Sequence, residues 1–385
     1  MNTRCLLIRG GRLFSPGDGF LGERADLLLR DGYMAEIGDS LAAPADADII
    51  TLDGEYVAPG FIDCHCHLDL DNPMGIGLHP DLAGVLAGNS TVFDAGTTGA
   101  DNFPGFCQRW MDQGQTRVFA LLNLASNGID TWEEASDSAN FNPEALRSTV
   151  EENRGRIVGL KLRCDREAVG KLGMEPFFLG QRLARELDLP FVVHVGEAPP
   201  FVEEILAGAQ LGDLITHCYH CYSPNGVWNS LVDKELRVRE SVWQARYRGV
   251  LFDVGHGGCS FSFRIARAMM EQCFFPDLIS TDIYTWNYLE PVRGLYHVIT
   301  KLLHLGMPLE TCLTAVTQTP ANYFGLTGLG RLREGACADV TVFHLENISV
   351  ELTDSCGVSE RCTRYLVPDY TVVAGRAYHL NLLHF

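Results

Sequence analysis

The stretch PGFIDCHCHLDLD, Pro59 to Asp71, sets two histidines one residue apart at the end of an apolar run. In a strand alternate side chains share a face, so His65 and His67 point one way while Cys64 and Cys66 point the other, into a core. Two imidazoles converging on one point suggest a divalent metal. Comparable side chains stand in or at the ends of later apolar runs: Lys161 in IVGLKLR, His194 in PFVVHVG, His217 in DLITHCYH and Asp282 in DLISTDIY. Histidine and carboxylate suit zinc and similar ions, and four imidazoles plus an aspartate exceed what one tetrahedral ion needs. The set points to two metals, with zinc the expected ion. Lys161 is misplaced among metal ligands while it is a cation. Carboxylated by CO2 it becomes an anionic carbamate whose two oxygens can each hold one metal.

These side chains need a scaffold that gathers strand ends. Between Val57 and about Thr327, short apolar runs alternate with longer segments of helical character, the pattern of repeated βα units. Eight runs follow in order: FIDCHCH, STVFDAG, RVFALLNLA, IVGLKLR, PFVVHVG, DLITHCYH, GVLFDVGHG and DLISTDIY. They predict a closed (β/α)8 TIM barrel, a fold whose chemistry sits at the C-terminal strand ends. Before it, LLIRGGRLF, ADLLLRDGYMAEIG and ADIITLDGEYVAPG are β-type runs separated by Gly and Asp turns. After it, LGRLREGACADVTVFHLE and YTVVAGRAYHL return to the same chemistry. The expected class is α/β, with a barrel over residues 57–331 and a small β-sandwich domain built from 1–56 plus 332–385.

With 385 residues, 46% hydrophobic and 21% charged, the chain can bury a large core. Thirty Lys and Arg against 49 Asp and Glu give a net charge of −19. That balance works against nucleic acid and anionic membrane surfaces as partners. The opening MNTRCLLIRGGRLFSPGDG lacks the apolar core and cleavage site of a signal peptide, so a cytoplasmic location is expected. The 13 cysteines, odd in number, read as reduced and mostly buried thiols. Cys218 and Cys221 form a C-x2-C pair, but no second pair completes a zinc ribbon. No G-x-G-x-x-G follows a strand, so no nucleotide cofactor is expected.

PGFIDCHCH, the lysine of GLKLR, HVGEAP, ITHCYH, DVGHGGCSFSF, STDIY and the closing GLGRLREGACADVTVF together resemble the amidohydrolase superfamily of binuclear metal hydrolases, in order and over nearly the whole chain. DAGTTGADNFPGF, DVGHGGCSFSF and HLGMPLETCLTAVTQTPA are similar to its deacetylase-like, dihydroorotase-like branch. The resemblance implies that His65 and His67 bind the more buried metal, His194 and His217 the more exposed one, and that N6-carboxylated Lys161 bridges them. Asp282 would bind the first metal, hydrogen-bond a bridging hydroxide and serve as catalytic base and then acid. It further implies a small-molecule substrate and a homo-oligomer.

Substrate contacts are expected one step further up the same faces. Arg163 follows Lys161 by two, placing a guanidinium that can hold a carboxylate; its structural alternative is a pair with Glu197 or Asp165. Tyr219 follows His217 by two and Tyr284 follows Asp282 by two, while His256 ends the seventh strand. Each has an equally plain structural reading, and His220 reads as a satisfied loop residue. Asp282 could alternatively cap a helix. The expected function is hydrolysis of an amide or ester of a small, anionic acyl compound, such as an N-acyl amino acid or O-acetyl 2-hydroxy acid. The alternatives are cyclic amide hydrolysis and an inactive barrel serving as a scaffold.

Overall fold

The computed structural model describes residues 5–221, 223 and 225–381. Seven parallel strands lie side by side in chain order: Phe61–Cys66, Asn89–Ala95, Arg117–Asn123, Ile157–Cys164, Phe191–Val195, Asp213–Thr216 and Leu251–Phe252. The eighth position is reduced to two parallel bridges, Asp253 to Leu278 and Cys66 to Ile283, which close the barrel. Nearly all residues of these strands are buried, as continuous apolar runs covered on both faces require. Outer helices present one apolar face inward. In Glu175–Leu187 the buried Phe177, Gly180, Leu183, Ala184 and Leu187 recur at steps of three and four. CSFSFRIARAMM opens the helix Phe263–Glu271, whose buried Phe263, Ile265, Ala266, Met269 and Met270 face the core.

Both chain ends build one eight-stranded sheet. Cys5–Ser15 pairs antiparallel with Phe20–Arg30, which pairs with Tyr33–Gly38. On its other edge it runs parallel to Asp48–Thr51 and Tyr56–Pro59. Tyr56–Pro59 pairs with Val340–Glu346, followed outward by Tyr365–Val373 and Arg376–His379. Gly10, at φ +76°, lets the first strand shift register between Ile8 and Gly11. Leu6, Ile8, Leu27, Leu29, Val340 and Val342 form part of a core of this domain's own. The sheet is tied to the barrel through Thr341, whose hydroxyl accepts from Phe61 N and donates to Gly88 O.

A hairpin, Val350–Thr353 with Ser359–Cys362, leaves this sheet and lies over the loop after the seventh barrel strand. Ser355 N donates to Phe261 O at 2.9 Å, and Ser355 Oγ to Gly257 O at 2.9 Å. This contact corrects the reading of all cysteines as free thiols: Cys221 and Cys356, 135 residues apart, form a disulfide. Two loops that meet only in the folded chain make the pair, so local spacing carries no trace of it. The other 11 cysteines are free, with Cys64 and Cys66 buried. Among the described residues no helix is long and apolar enough to cross a membrane.

Candidate metal centre

The strand ends bring the first-named residues together. His65 is the fifth residue of Phe61–Cys66, and His67 follows one step beyond its end. Lys161 lies within Ile157–Cys164, His194 within Phe191–Val195, and His217 directly after Asp213–Thr216. Asp282 reaches over from the eighth position. His65 Nε2 and His67 Nε2 lie 3.3 and 3.0 Å from Asp282 Oδ1. Ligand atoms of these three residues all fall within 4.8 Å of one another. The His65 and His217 rings are 5.3 Å apart, and those of His194 and His217 4.4 Å. Lys161 Nζ, fully buried, is 2.8 Å from His65 Nε2. His217 and Asp282 hold positive φ values of +71° and +50°, strained conformations for side chains that bear a Cβ.

The partners behind each imidazole fix its tautomer. Thr216 Oγ1 donates to Asp253 Oδ2 at 2.7 Å, so at 3.2 Å it accepts from His65 Nδ1. His67 Nδ1 meets Thr97 Oγ1 at 2.8 Å, and Thr97 in turn is hydrogen-bonded to Asp94. His217 Nδ1 donates to Gly255 O at 2.7 Å. With Nδ1 protonated in a neutral ring, Nε2 carries the lone pair in each case. Burial holds His65 and His217 well below the ordinary imidazole range, keeping them neutral.

These residues fit a cation. The Nε2 atoms of His65 and His67 and Asp282 Oδ1 all present lone pairs to one another. His217 Nε2 is buried and has no hydrogen-bond partner among the described residues. Burial lowers the Lys161 amine to about 8, which favours the neutral form that reacts with CO2. Burial also raises Asp253 to about 6 and Asp63, which accepts from Thr281 N and Oγ1, to about 7.

The centre opens into a cavity of about 450 Å³. Arg163 and Tyr284 line it, as do Trp132 and Trp286. The rings of Tyr284, Trp286 and Trp132 succeed one another at 6.2 Å spacings outward from His67. Arg163 pairs with Glu134 Oε2 at 3.0 Å and Asp165 Oδ2 at 3.2 Å; Glu197 pairs instead with Arg166. His194 Nε2 meets Asp165 Oδ2 at 2.9 Å.

Two expected substrate residues lie elsewhere. Tyr219 is fully buried against Phe261, its hydroxyl without a partner among the described residues. The left-handed turn at His217 ends the strand, so the period of two no longer applies two residues on. His256 is buried and stacked on Phe261, with Nε2 2.8 Å from Lys301 Nζ and Nδ1 donating to Gly257 O. Positive φ at Gly255 and Gly257 turns this loop away from strand geometry. His220 is buried and bonds Asn229 O. The sequence does not reveal Thr97, Thr216, Asp253 and Glu134 as parts of the site, and it offers Asp165 only as an alternative partner for Arg163. Asp253 alone left a signal, as a carboxylate inside the apolar run GVLFDVG.

A family model described as a deacetylase-like composite domain matches residues 332–379. A deacetylase of Agrobacterium fabrum is 34% identical over 365 residues, covering 94% of this chain and 88% of that protein. A solved structure titled an adenine deaminase superposes with a TM-score of 0.91 at 32% identity, covering 97% of this chain and 99% of that one. Another, titled a dihydroorotase, gives 0.89 at 33% identity, covering 98% of each. Similarity that spans both the barrel and the terminal sheet, and so takes in every strand end gathered at the centre, makes the chain a member of the amidohydrolase superfamily, in its deacetylase and dihydroorotase-like branch.

Proposed function

We propose that this protein hydrolyses an amide or ester bond of a small acyl compound at a centre of two divalent ions, zinc being the expected metal. The observation that carries this reading is the convergence of His65, His67 and Asp282 within 4.8 Å beside the buried Nε2 of His217, which has no hydrogen-bond partner among the described residues. His65, His67 and Asp282 would hold one ion, His194 and His217 the other, and Lys161 as a carbamate would serve both. Bound there, the ions would polarise the scissile carbonyl and acidify water.

The chain's own groups then divide the work. Asp282 Oδ1 faces the imidazoles, leaving Oδ2 to take a proton from the attacking water and return it to the departing nitrogen or oxygen. Water adds its oxygen to the acyl carbon, the bond to the leaving group breaks, and an acid and a protonated leaving group result. The cavity of about 450 Å³ suits a small molecule, and its aromatic wall helps to shield the reacting bond from bulk water. Similarity to a dihydroorotase favours a second reading, opening of a cyclic amide, which asks the same of these residues. Every ligand candidate is present in the sequence, which argues against an inactive scaffold.

The test is metal content of purified protein by mass spectrometry beside hydrolysis screens of N-acetyl amino acids, acetyl esters of 2-hydroxy acids and cyclic ureides. About two divalent ions per chain with turnover in one set is expected. Metal-free protein that cannot be reconstituted would refute the proposal.

A further inference from the structure

His65, His67 and His217 are each anchored through Nδ1 by an oxygen of a hydroxyl or the main chain, whereas His194 is anchored through Nε2 by a carboxylate. We infer that Asp165 is a positioning residue that fixes His194 with Nδ1 free to hold the second ion, and that Arg163 and Glu134 lock Asp165 in place. The inference rests on the two-metal reading above.

Asp165 follows the fourth strand and caps the helix Arg166–Val169. Its Oδ1 accepts from Glu167 N at 3.1 Å and Ala168 N at 2.9 Å. Its Oδ2 accepts from Arg163 Nη2 at 3.2 Å and faces His194 Nε2 at 2.9 Å. With donors converging on both oxygens the group is an anion that only accepts, so His194 Nε2 carries the proton. In the neutral ring the lone pair then falls on Nδ1.

The carboxylate has little freedom to move. Arg163 is clamped in turn by Glu134 Oε2 at 3.0 Å and Trp132 O at 3.3 Å, with its guanidinium 5.2 Å from the Trp132 ring centre. Gly196 allows the His194 and Asp165 side chains to close, since a Cβ there would stand 2.9 Å from His194 Nε2 and 3.1 Å from Asp165 Cβ. Both terminal nitrogens of Arg163 are therefore engaged with the wall. A carboxylate of a substrate would have to displace these bonds, which makes Arg163 a poor clamp for it.

Asp165→Asn tests this. The carboxamide has one acceptor oxygen for positions where donors converge on two, so an N–H must face Arg163 and His194 or the helix cap. Chelator-stripped protein is titrated with Zn²⁺ and Co²⁺, reading stoichiometry by native mass spectrometry and the Co²⁺ absorption spectrum. Wild type should take up about two ions, and the variant should keep the first while binding the second roughly 10- to 100-fold more weakly. His194→Ala should lose the second ion, and the double variant should match His194→Ala alone. Unchanged affinity in Asp165→Asn, or an equal further loss in the double variant, would overturn the inference while leaving the proposed function standing. Wild type without metal would overturn both. If Asp165→Asn does not fold, Asp165→Ser, which still caps the helix but is too short for His194, undergoes the same titration, and wild-type affinity there is equally fatal. If Arg163→Gln keeps both ions and raises KM only for carboxylate-bearing substrates, Arg163 is a substrate clamp and its assigned role falls.

Discussion

Gly257→Ala separates the placement of Asp282 from the stability of the fold. Gly257 sits at φ +54°, and a Cβ there would lie 2.4 Å from Asp282 Oδ2. Its loop cannot easily retreat, because Gly257 N donates to Thr281 O at 2.8 Å and its carbonyl accepts from Ser355 Oγ and His256 Nδ1, each at 2.9 Å. Real Cβ contacts stay above 3.0 Å, so Asp282 Oδ2 must move by at least 0.6 Å, the difference between 3.0 and 2.4. The carboxylate is the free end of a side chain, so moving it is cheap for folding; the left-handed alanine itself adds only about 1–2 kcal/mol. For catalysis a misplacement of about 1 Å can cost roughly 100-fold. We therefore expect kcat/KM on the substrate found in the screen to fall about 10- to 100-fold, equivalent to about 1.4–2.7 kcal/mol of barrier. Gly335→Ala is the control, since Gly335 has φ +80° and no atom of the described residues within 4 Å of its added Cβ. It should lose comparable stability in thermal denaturation and keep its turnover. Activity of Gly257→Ala within twofold of wild type, or an equal loss in both variants, would refute the placement of Asp282 as the proton-transferring group.

Asp282→Asn should fold normally by circular dichroism yet lose about 100- to 10,000-fold in kcat, the range a positioned acid–base group supplies; near-normal turnover would remove Asp282 from proton transfer. Lys161→Ala should be inactive and regain part of its turnover with short carboxylic acids that replace the carbamate, whereas absent rescue with metal still bound would argue against a carbamate. Lys301 gives a pH signature: burial lowers its amine from 10.5 to about 7, so between those values the unfolded chain binds more protons and stability contributed by this group rises with pH. The difference in unfolding free energy between wild type and Lys301→Met should accordingly shift in favour of wild type by on the order of 2 kcal/mol from pH 7 to pH 9 in urea titrations, and a flat difference would contradict the lowered pKa of the buried amine.

Where the chain obeys a simple period, its sequence exposes the site; where it departs from one, the site must be seen in three dimensions. His65, His67, Lys161 and His194 are polar residues in or just past otherwise apolar strands, and Arg163 follows Lys161 onto the cavity wall by the same alternation. Tyr219 lies two residues past His217, whose backbone turns to positive φ, so alternation assigns it a face that it does not have, and positive φ at Gly255 and Gly257 takes His256 out of the strand that it was expected to end. The groups that orient the imidazoles are harder still to read. Thr97 and Thr216 are ordinary β-formers in composition, and Glu134 reaches Arg163 from a loop 29 residues away. The centre's geometry depends on this second set as much as on the first: an imidazole binds metal only through the nitrogen that its other neighbour leaves unprotonated. The ligand types are thus written locally, but their protonation is decided by contacts between strands, and on the proposed two-metal reading a chain that kept every histidine while losing Thr216 or Asp165 would look intact in sequence and bind metal poorly.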